Sequence, residues 1–195
     1  MTRKSHVTPG LSPHFCSASR SGHRKEASPW VRTALQRLSR VSKGLALDIP
    51  SGRGRHSQYL IDLGFRVVAA DLDHRVLLEA ASRSAAADRL LLVRVNALRP
   101  LPFKNETFDL VVVIHPHSLD VLAAAKASLR RGGHLILETF GAHGENWRDL
   151  PRPHQTAEEL LAGFEVLACK ESRVPKVHDR VTVKGIFRKP ESFGS

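Results

Sequence analysis

Residues 45–55, Leu-Ala-Leu-Asp-Ile-Pro-Ser-Gly-Arg-Gly-Arg, decide how this chain folds. An apolar run ends in an acid, Asp48, and passes into a turn holding Gly52 and Gly54. A helical pattern follows at once over residues 56–63. A buried parallel strand has this composition, and the loop after such a strand is where open α/β sheets bind nucleotide-like ligands. The two glycines let a ligand lie against bare backbone, because no Cβ stands in the way. About 17 residues past Gly54 a second apolar run, Val67-Val-Ala-Ala70, ends in Asp71 and Leu72. That spacing suits a carboxylate accepting hydrogen bonds from ribose hydroxyls. A cofactor containing a nucleoside is expected.

Outward from this turn, strands and helices alternate. Strands are predicted at 45–49, 66–70, 90–95, 109–114 and 134–140, each enriched in Val, Leu or Ile. Helical patterns fall at 56–63, 74–84, 119–129 and 156–161. This βαβα order argues a parallel, doubly wound sheet. Two further strands, 164–171 and 181–188, close the chain. The segment between them is short and contains Pro175, so no helix fits and an antiparallel hairpin is expected. Upstream, Ser28 can cap a helix with Pro29 at its first position, and Val31, Leu35, Leu38 and Val41 form one apolar stripe.

Two details separate the possible cofactors. The dinucleotide fingerprint places a third glycine where this chain has Ser57. Asp48 also suits a pyrophosphate poorly, since like charges would meet in a poorly solvated pocket. It suits a ligand with an ammonium group, and S-adenosylmethionine has one, along with a cationic sulfonium and no phosphate. Asp48 and Asp71 together therefore favour S-adenosylmethionine over NAD.

At this point the chain resembles class I S-adenosylmethionine-dependent methyltransferases, most of all the small tellurite-resistance-type methyltransferases. The resemblance lies in residues 46–56 (Ala-Leu-Asp-Ile-Pro-Ser-Gly-Arg-Gly-Arg-His), 64–71, 108–113, 129–140 and 164–167, and covers about residues 28–189. It implies a Rossmann-like methyltransferase fold: α/β, a doubly wound, mostly parallel seven-stranded sheet with a C-terminal antiparallel hairpin. The family usually has glycine where Pro50 stands. Proline fixes φ and removes an N–H, so the loop is expected to approach the methionine part of the cofactor differently.

Composition sets the outer bounds. At 195 residues, one domain with a sizeable core is expected. No apolar stretch reaches the roughly 18 residues needed to cross a bilayer, so a soluble, cytoplasmic protein without a membrane partner is expected. Cys16 and Cys169 lie far apart and outside any metal-type spacing, which points to two reduced thiols. The formal charge of +11 is unevenly spread. Residues 1–44 hold nine Lys/Arg against the single acid Glu26, whereas the remainder holds 21 against 18. Residues 1–27, rich in Ser, His, Arg and Gly, read as a disordered basic leader, residues 28–189 as the domain and 190–195 as a short tail. Nucleic acid enters only as a weaker expectation, through that leader. No pattern in the chain specifies an oligomer.

Ligands in such sheets sit outside the carboxyl ends of the strands. Asp48, Pro50, Gly52, Gly54, Asp71 and Leu72 are thus the expected cofactor contacts. By resemblance the adenine edge falls near Asn96 and Ala97, although a surface turn explains Asn96 equally well. Past strand four comes His115-Pro-His117, a loop beside which several methyltransferases place substrate and cofactor. His115 is therefore expected near the cofactor and His117 near the substrate, with either imidazole a candidate base. The His-x-His pair has no convincing third ligand, so no metal is expected. Beyond strand five, Gly141 and Gly144 mark a loop long enough to serve as a lid, with Phe140 and Trp147 as apolar walls and Arg148 and Arg152 facing an anionic acceptor.

The leading expectation is an enzyme, an S-adenosylmethionine-dependent methyltransferase acting on a small-molecule acceptor; a soft S, Se or Te nucleophile needs no general base, whereas a protonated amine or hydroxyl needs one, and the sequence leaves both open. An RNA methyltransferase using the basic leader, a non-catalytic cofactor-binding protein and, behind these, an NAD(P)-dependent enzyme stay open.

Overall fold

The computed structural model describes residues 26–84, 86–116, 118–142, 161–173 and 180–191. Helix α1 (Pro29–Arg37) precedes strand β1 (Leu45–Asp48) and helix α2 (Arg55–Asp62). Strand β2 (Arg66–Asp71), helix α3 (His74–Arg83), strand β3 (Leu90–Arg94) and strand β4 (Phe108–Ile114) follow. Helix α4 (Leu119–Ser128) leads into β5 (Leu129–Ala142), and β6 (Glu165–Arg173) and β7 (Arg180–Arg188) end the fold. The basic leader up to residue 25, residues 156–160 of the helix predicted at 156–161 and the tail beyond residue 191 lie outside the described residues.

The seven strands form one sheet in the order β3-β2-β1-β4-β5-β7-β6. Strands β1 to β5 are parallel, while β7 runs antiparallel to both β5 and β6. The expected closing hairpin is therefore present, with its last strand inserted between β5 and β6.

Both faces of the central strands are covered, which is why these strands read as unbroken apolar runs. Leu47, Val111, Val113, Leu135 and Leu137 pack with Val121, Leu122 and Ala125 of α4. Ala46, Leu110, Val112, Ile114 and Ile136 pack on the other face with Val31, Ala34 and Leu35 of α1 and Leu60 and Ile61 of α2. The alternation along β4 and β5 follows from the two-residue period of a strand. Asp109 pins the start of β1 to β4: its Oδ2 accepts from Leu45 N at 2.6 Å, and its Oδ1 is 2.6 Å from Arg130 Nε.

Two expectations need correction. Strand five was expected at 134–140 but runs Leu129–Ala142. Gly132 and Gly133 lie between the expected helix at 119–129 and that strand, yet Gly132 N donates to Lys189 O and Lys189 N to Gly133 O, so the strand continues through them. At the other end Gly141 and Ala142 pair with Val181 and Arg180, so no loop begins at Gly141. The apolar stripe of α1 also outlasts the helix. Leu38 caps it, and Val41 is held in the following turn by a bond from its N–H to Leu38 O.

Candidate functional site

The chain leaves β1 toward β2 on one side and toward β4 on the other, so the strand order reverses between β1 and β4. A crevice opens outside the carboxyl ends of such a pair. Asp48 ends β1 there, and His115 follows β4.

The β1–α2 turn is fixed by backbone bonds: Ile49 N to Val112 O, Ser51 N to Ala70 O, and Gly54 N to Ser51 O. The Ile49–Pro50 peptide bond is cis. Gly52 and Gly54 both have positive φ, +53° and +72°, but they do different things. A Cβ on Gly52 would meet nothing within 4 Å, so its bare face is open. A Cβ on Gly54 would come within 2.6 Å of Ala80 Cβ, so Gly54 is needed for the packing of α2 against α3. A bare backbone face is therefore open at Gly52, whereas Ala80 lies against that of Gly54.

Asp48 is 0 % exposed. Its Oδ2 accepts from Ser57 Oγ at 2.6 Å, and its Oδ1 has no partner among the described residues. Burial pushes its pKa up to about 7, against the opposing pull of the Ser57 hydrogen bonds and Arg55. Asp71 anchors the neighbouring loops: Oδ2 accepts from Gly52 N at 2.8 Å and Oδ1 from Asp73 N at 3.0 Å. A carboxylate has about four acceptor sites, so two remain for a ligand. Next to it Leu72 is 57 % exposed and offers an apolar surface.

Val95 N donates to Asp71 O, which brings the segment after β3 beside the end of β2. Asn96 is exposed there and uses its Oδ1 to accept from Leu98 N at 3.1 Å, the turn geometry weighed from sequence. Its Nδ2 is the atom left to reach a ring edge. Ala97, half-buried, packs against the α4-side core. His115 is half-buried with φ +53°, and its N–H donates to Glu138 O at 2.7 Å. His117, Trp147, Arg148 and Arg152 lie outside the described residues, as does the side chain of Phe140.

Three features escaped sequence reasoning. Ser57, taken as a missing glycine, instead holds Asp48. His56, read only as the start of a helix, is 3 % exposed with Nε2 unpartnered. Its position directly after the glycine turn was the available signal. Glu138, a buried acid near the end of an apolar strand, accepts from Ser28 Oγ at 2.9 Å and lies 3.5 Å from Lys184 Nζ. Trp30 Nε1 donates to Leu137 O at 2.9 Å, so α1 is latched over the ends of β4 and β5. Among the described residues no cluster of His, Cys, Asp and Glu could hold a metal ion, and no helix is long and apolar enough to cross a membrane.

Known proteins share this arrangement. Residues 46–133 match a family described as a methyltransferase domain. A tRNA U34 carboxymethyltransferase of Mannheimia succiniciproducens is 30 % identical over 123 residues, covering 60 % of this chain and 38 % of that protein. The chain thus spans less than two fifths of the length of this curated relative. Among solved structures, TehB from Haemophilus influenzae superposes with a TM-score of 0.61 at 15 % identity, over 81 % of this chain and 62 % of that one. The match agrees with the fold that the sequence resemblance implies. The 1,6-didemethyltoxoflavin-N1-methyltransferase of Burkholderia thailandensis, solved with S-adenosylhomocysteine, gives 0.61 at 23 % identity, over 83 % and 77 %. The matched methyltransferase domain spans the glycine turn, β2 and β4, the segments that carry the resemblance seen in the sequence.

Proposed function

We propose that this protein binds S-adenosylmethionine in the β1/β4 crevice and transfers its methyl group to a small-molecule acceptor. The observation that carries the reading is the pairing of an open Gly52 backbone with a fully buried carboxylate, Asp48, whose Oδ1 lacks a partner. A buried carboxylate oxygen left unpaired is costly, and a bound ammonium would satisfy it. Asp71 has acceptor capacity to spare for a sugar diol, and Leu72 gives an apolar surface for the adenine. The residues present fit the cofactor.

When bound, S-adenosylmethionine supplies a methyl group on a cationic sulfur, already activated for displacement. The chain's part is to hold the two reactants in line and exclude water. Asp48 and Asp71 fix the two ends of the cofactor, and Gly52 admits its middle. On the acceptor side, α1 closes over the strand ends through Trp30 and the Ser28–Glu138–Lys184 cluster, which favours a small enclosed acceptor. His115 stands at that boundary as the candidate to orient or deprotonate the acceptor, and a soft S, Se or Te nucleophile would not need it. The similarity to the 1,6-didemethyltoxoflavin-N1-methyltransferase, solved with 1,6-didemethyltoxoflavin bound, supports a small acceptor. Calorimetry tests the reading. Saturable S-adenosylmethionine binding is expected, and no saturation up to millimolar cofactor refutes it.

A second reading is favoured by the relative that acts on tRNA U34 and by the basic residues 1–44. It has RNA as acceptor, captured electrostatically. It requires RNA affinity that falls steeply with salt and is lost when residues 1–27 are deleted. Equal binding by the full and shortened chains removes it.

A further inference from the structure

Three buried polar atoms between residues 48 and 57 have no hydrogen-bond partner among the described residues: Asp48 Oδ1, Ser51 Oγ and His56 Nε2. Buried polar atoms are nearly always paired, so such a group on one turn marks a place where a ligand completes the bonding. His56 is the member that the proposed reaction has not used. It is the second residue of α2, and its ring lies within electrostatic reach of His115, which comes from the end of β4. The two histidines thus come from the elements that follow β1 and β4, the strands between which the order reverses.

Burial, Arg55 and His115 all oppose a charge on His56 and push its pKa down to about 3. The ring is neutral at physiological pH and can carry its proton on Nδ1, leaving Nε2 as an acceptor. An ammonium has three N–H donors and needs one anionic partner together with neutral acceptors. An anionic group set against Asp48 Oδ1 and His56 Nε2 would meet two acceptors and no donor. The donor-rich, cationic end of the cofactor is the part this turn can satisfy.

We infer that His56 Nε2 is a binding group for the amino-acid end of the cofactor, accepting one N–H of its α-ammonium beside Asp48. This rests on the reading that S-adenosylmethionine occupies the crevice. It makes His56 a determinant of tail recognition, separating the intact cofactor and S-adenosylhomocysteine from nucleoside thioethers that lack the amino-acid tail.

The test measures binding of S-adenosylhomocysteine and of tail-less 5′-methylthioadenosine by the full chain and its His56→Leu variant. Losing a hydrogen bond to a charged group should weaken S-adenosylhomocysteine about 10- to 100-fold and change 5′-methylthioadenosine by no more than about 2-fold. His56→Gln, which keeps an acceptor, should recover most of the loss. Equal losses for both ligands would mean that His56 acts through the turn, and no loss for either would mean that it touches nothing. Each result overturns the inference. Should His56→Leu not fold, nitrogen-15 NMR of histidine-labelled wild type gives the answer. The Nε2 resonance of His56 must move with S-adenosylhomocysteine and stay with 5′-methylthioadenosine, and any other pattern overturns it. Wild type that fails to bind S-adenosylhomocysteine at all refutes the cofactor reading itself, a result distinct from equal binding by wild type and variant.

Discussion

Asp48→Asn is expected to change sign in its effect on stability between acid and mildly alkaline pH, while weakening cofactor binding. The wild-type carboxyl is fully buried, and its pKa rises from an ordinary 3.8 to about 7, with burial as the main cause and Asp71 adding to it. Below 3.8 the carboxyl is protonated in folded and unfolded chains alike, so its contribution to stability is intact. As pH rises toward 7 the unfolded chain ionises while the folded chain keeps its proton, and stability falls. At about 1.4 kcal/mol per pH unit, the deficit levels off near 4 kcal/mol above pH 7, as an order of magnitude.

Asn removes this deficit and can still accept from Ser57 Oγ. It also puts an NH2 where Oδ1 now lacks a partner, at a cost of about 1–3 kcal/mol. The variant should therefore be about 1–3 kcal/mol more stable than wild type at pH 8 and less stable by a similar amount at pH 4, read by urea unfolding. Cofactor binding should show the complementary dependence. Wild type must ionise Asp48 to hold an ammonium, so its affinity should rise up to about tenfold per pH unit below pH 7 and then level, with a proton released on binding. The variant should bind weakly at every pH. Equal destabilisation at both pH values, or wild-type binding that ignores pH, would refute the reasoning.

The other expectations follow from the same turn and from α1. Gly54→Ala combines positive φ with a Cβ 2.6 Å from Ala80 Cβ and should cost about 3 kcal/mol in denaturant unfolding. Gly52→Ala, with nothing within 4 Å, should cost only about 1 kcal/mol yet weaken cofactor binding more than the change in stability explains. Ser57→Ala removes the 2.6 Å bond to Asp48 and should destabilise by about 1–3 kcal/mol at pH 8 and by less at pH 4, where the carboxyl is neutral. Ser28→Ala deletes both the cap on Val31 N and the bond to Glu138. It should cost about 1–3 kcal/mol, seen in unfolding curves, with a larger KM for the acceptor than for the cofactor.

Strand and helix order was legible because apolar runs and the helical period are local properties. The edges of β1, β2, β3 and β4 fall within a residue of expectation for that reason. β5 departs most, because Gly132-Gly133 carries a turn signal that pairing with the segment after β7 overrides. Asp48, Gly52 and Asp71 were legible as a group, since their spacing along the chain reflects one strand-turn-helix unit and the next strand. The packing role of Gly54 was not legible, because its neighbour, Ala80, is 26 residues away in α3.

The amino-acid order alone determined that a strand would end in a buried acid, that glycines would follow, and that a second acid would come one strand later. Side-chain roles formed between distant segments were decided only by the tertiary structure. Ser57 turned out to hold Asp48, His56 to bury an Nε2 that has no partner among the described residues, and Ser28 to bridge to Glu138 across 110 residues. The physical reason is that periodicity and turn chemistry act over a few residues. Burial, and with it the cost of an unpaired polar atom, exists only once the sheet has brought β1, β4 and β5 side by side.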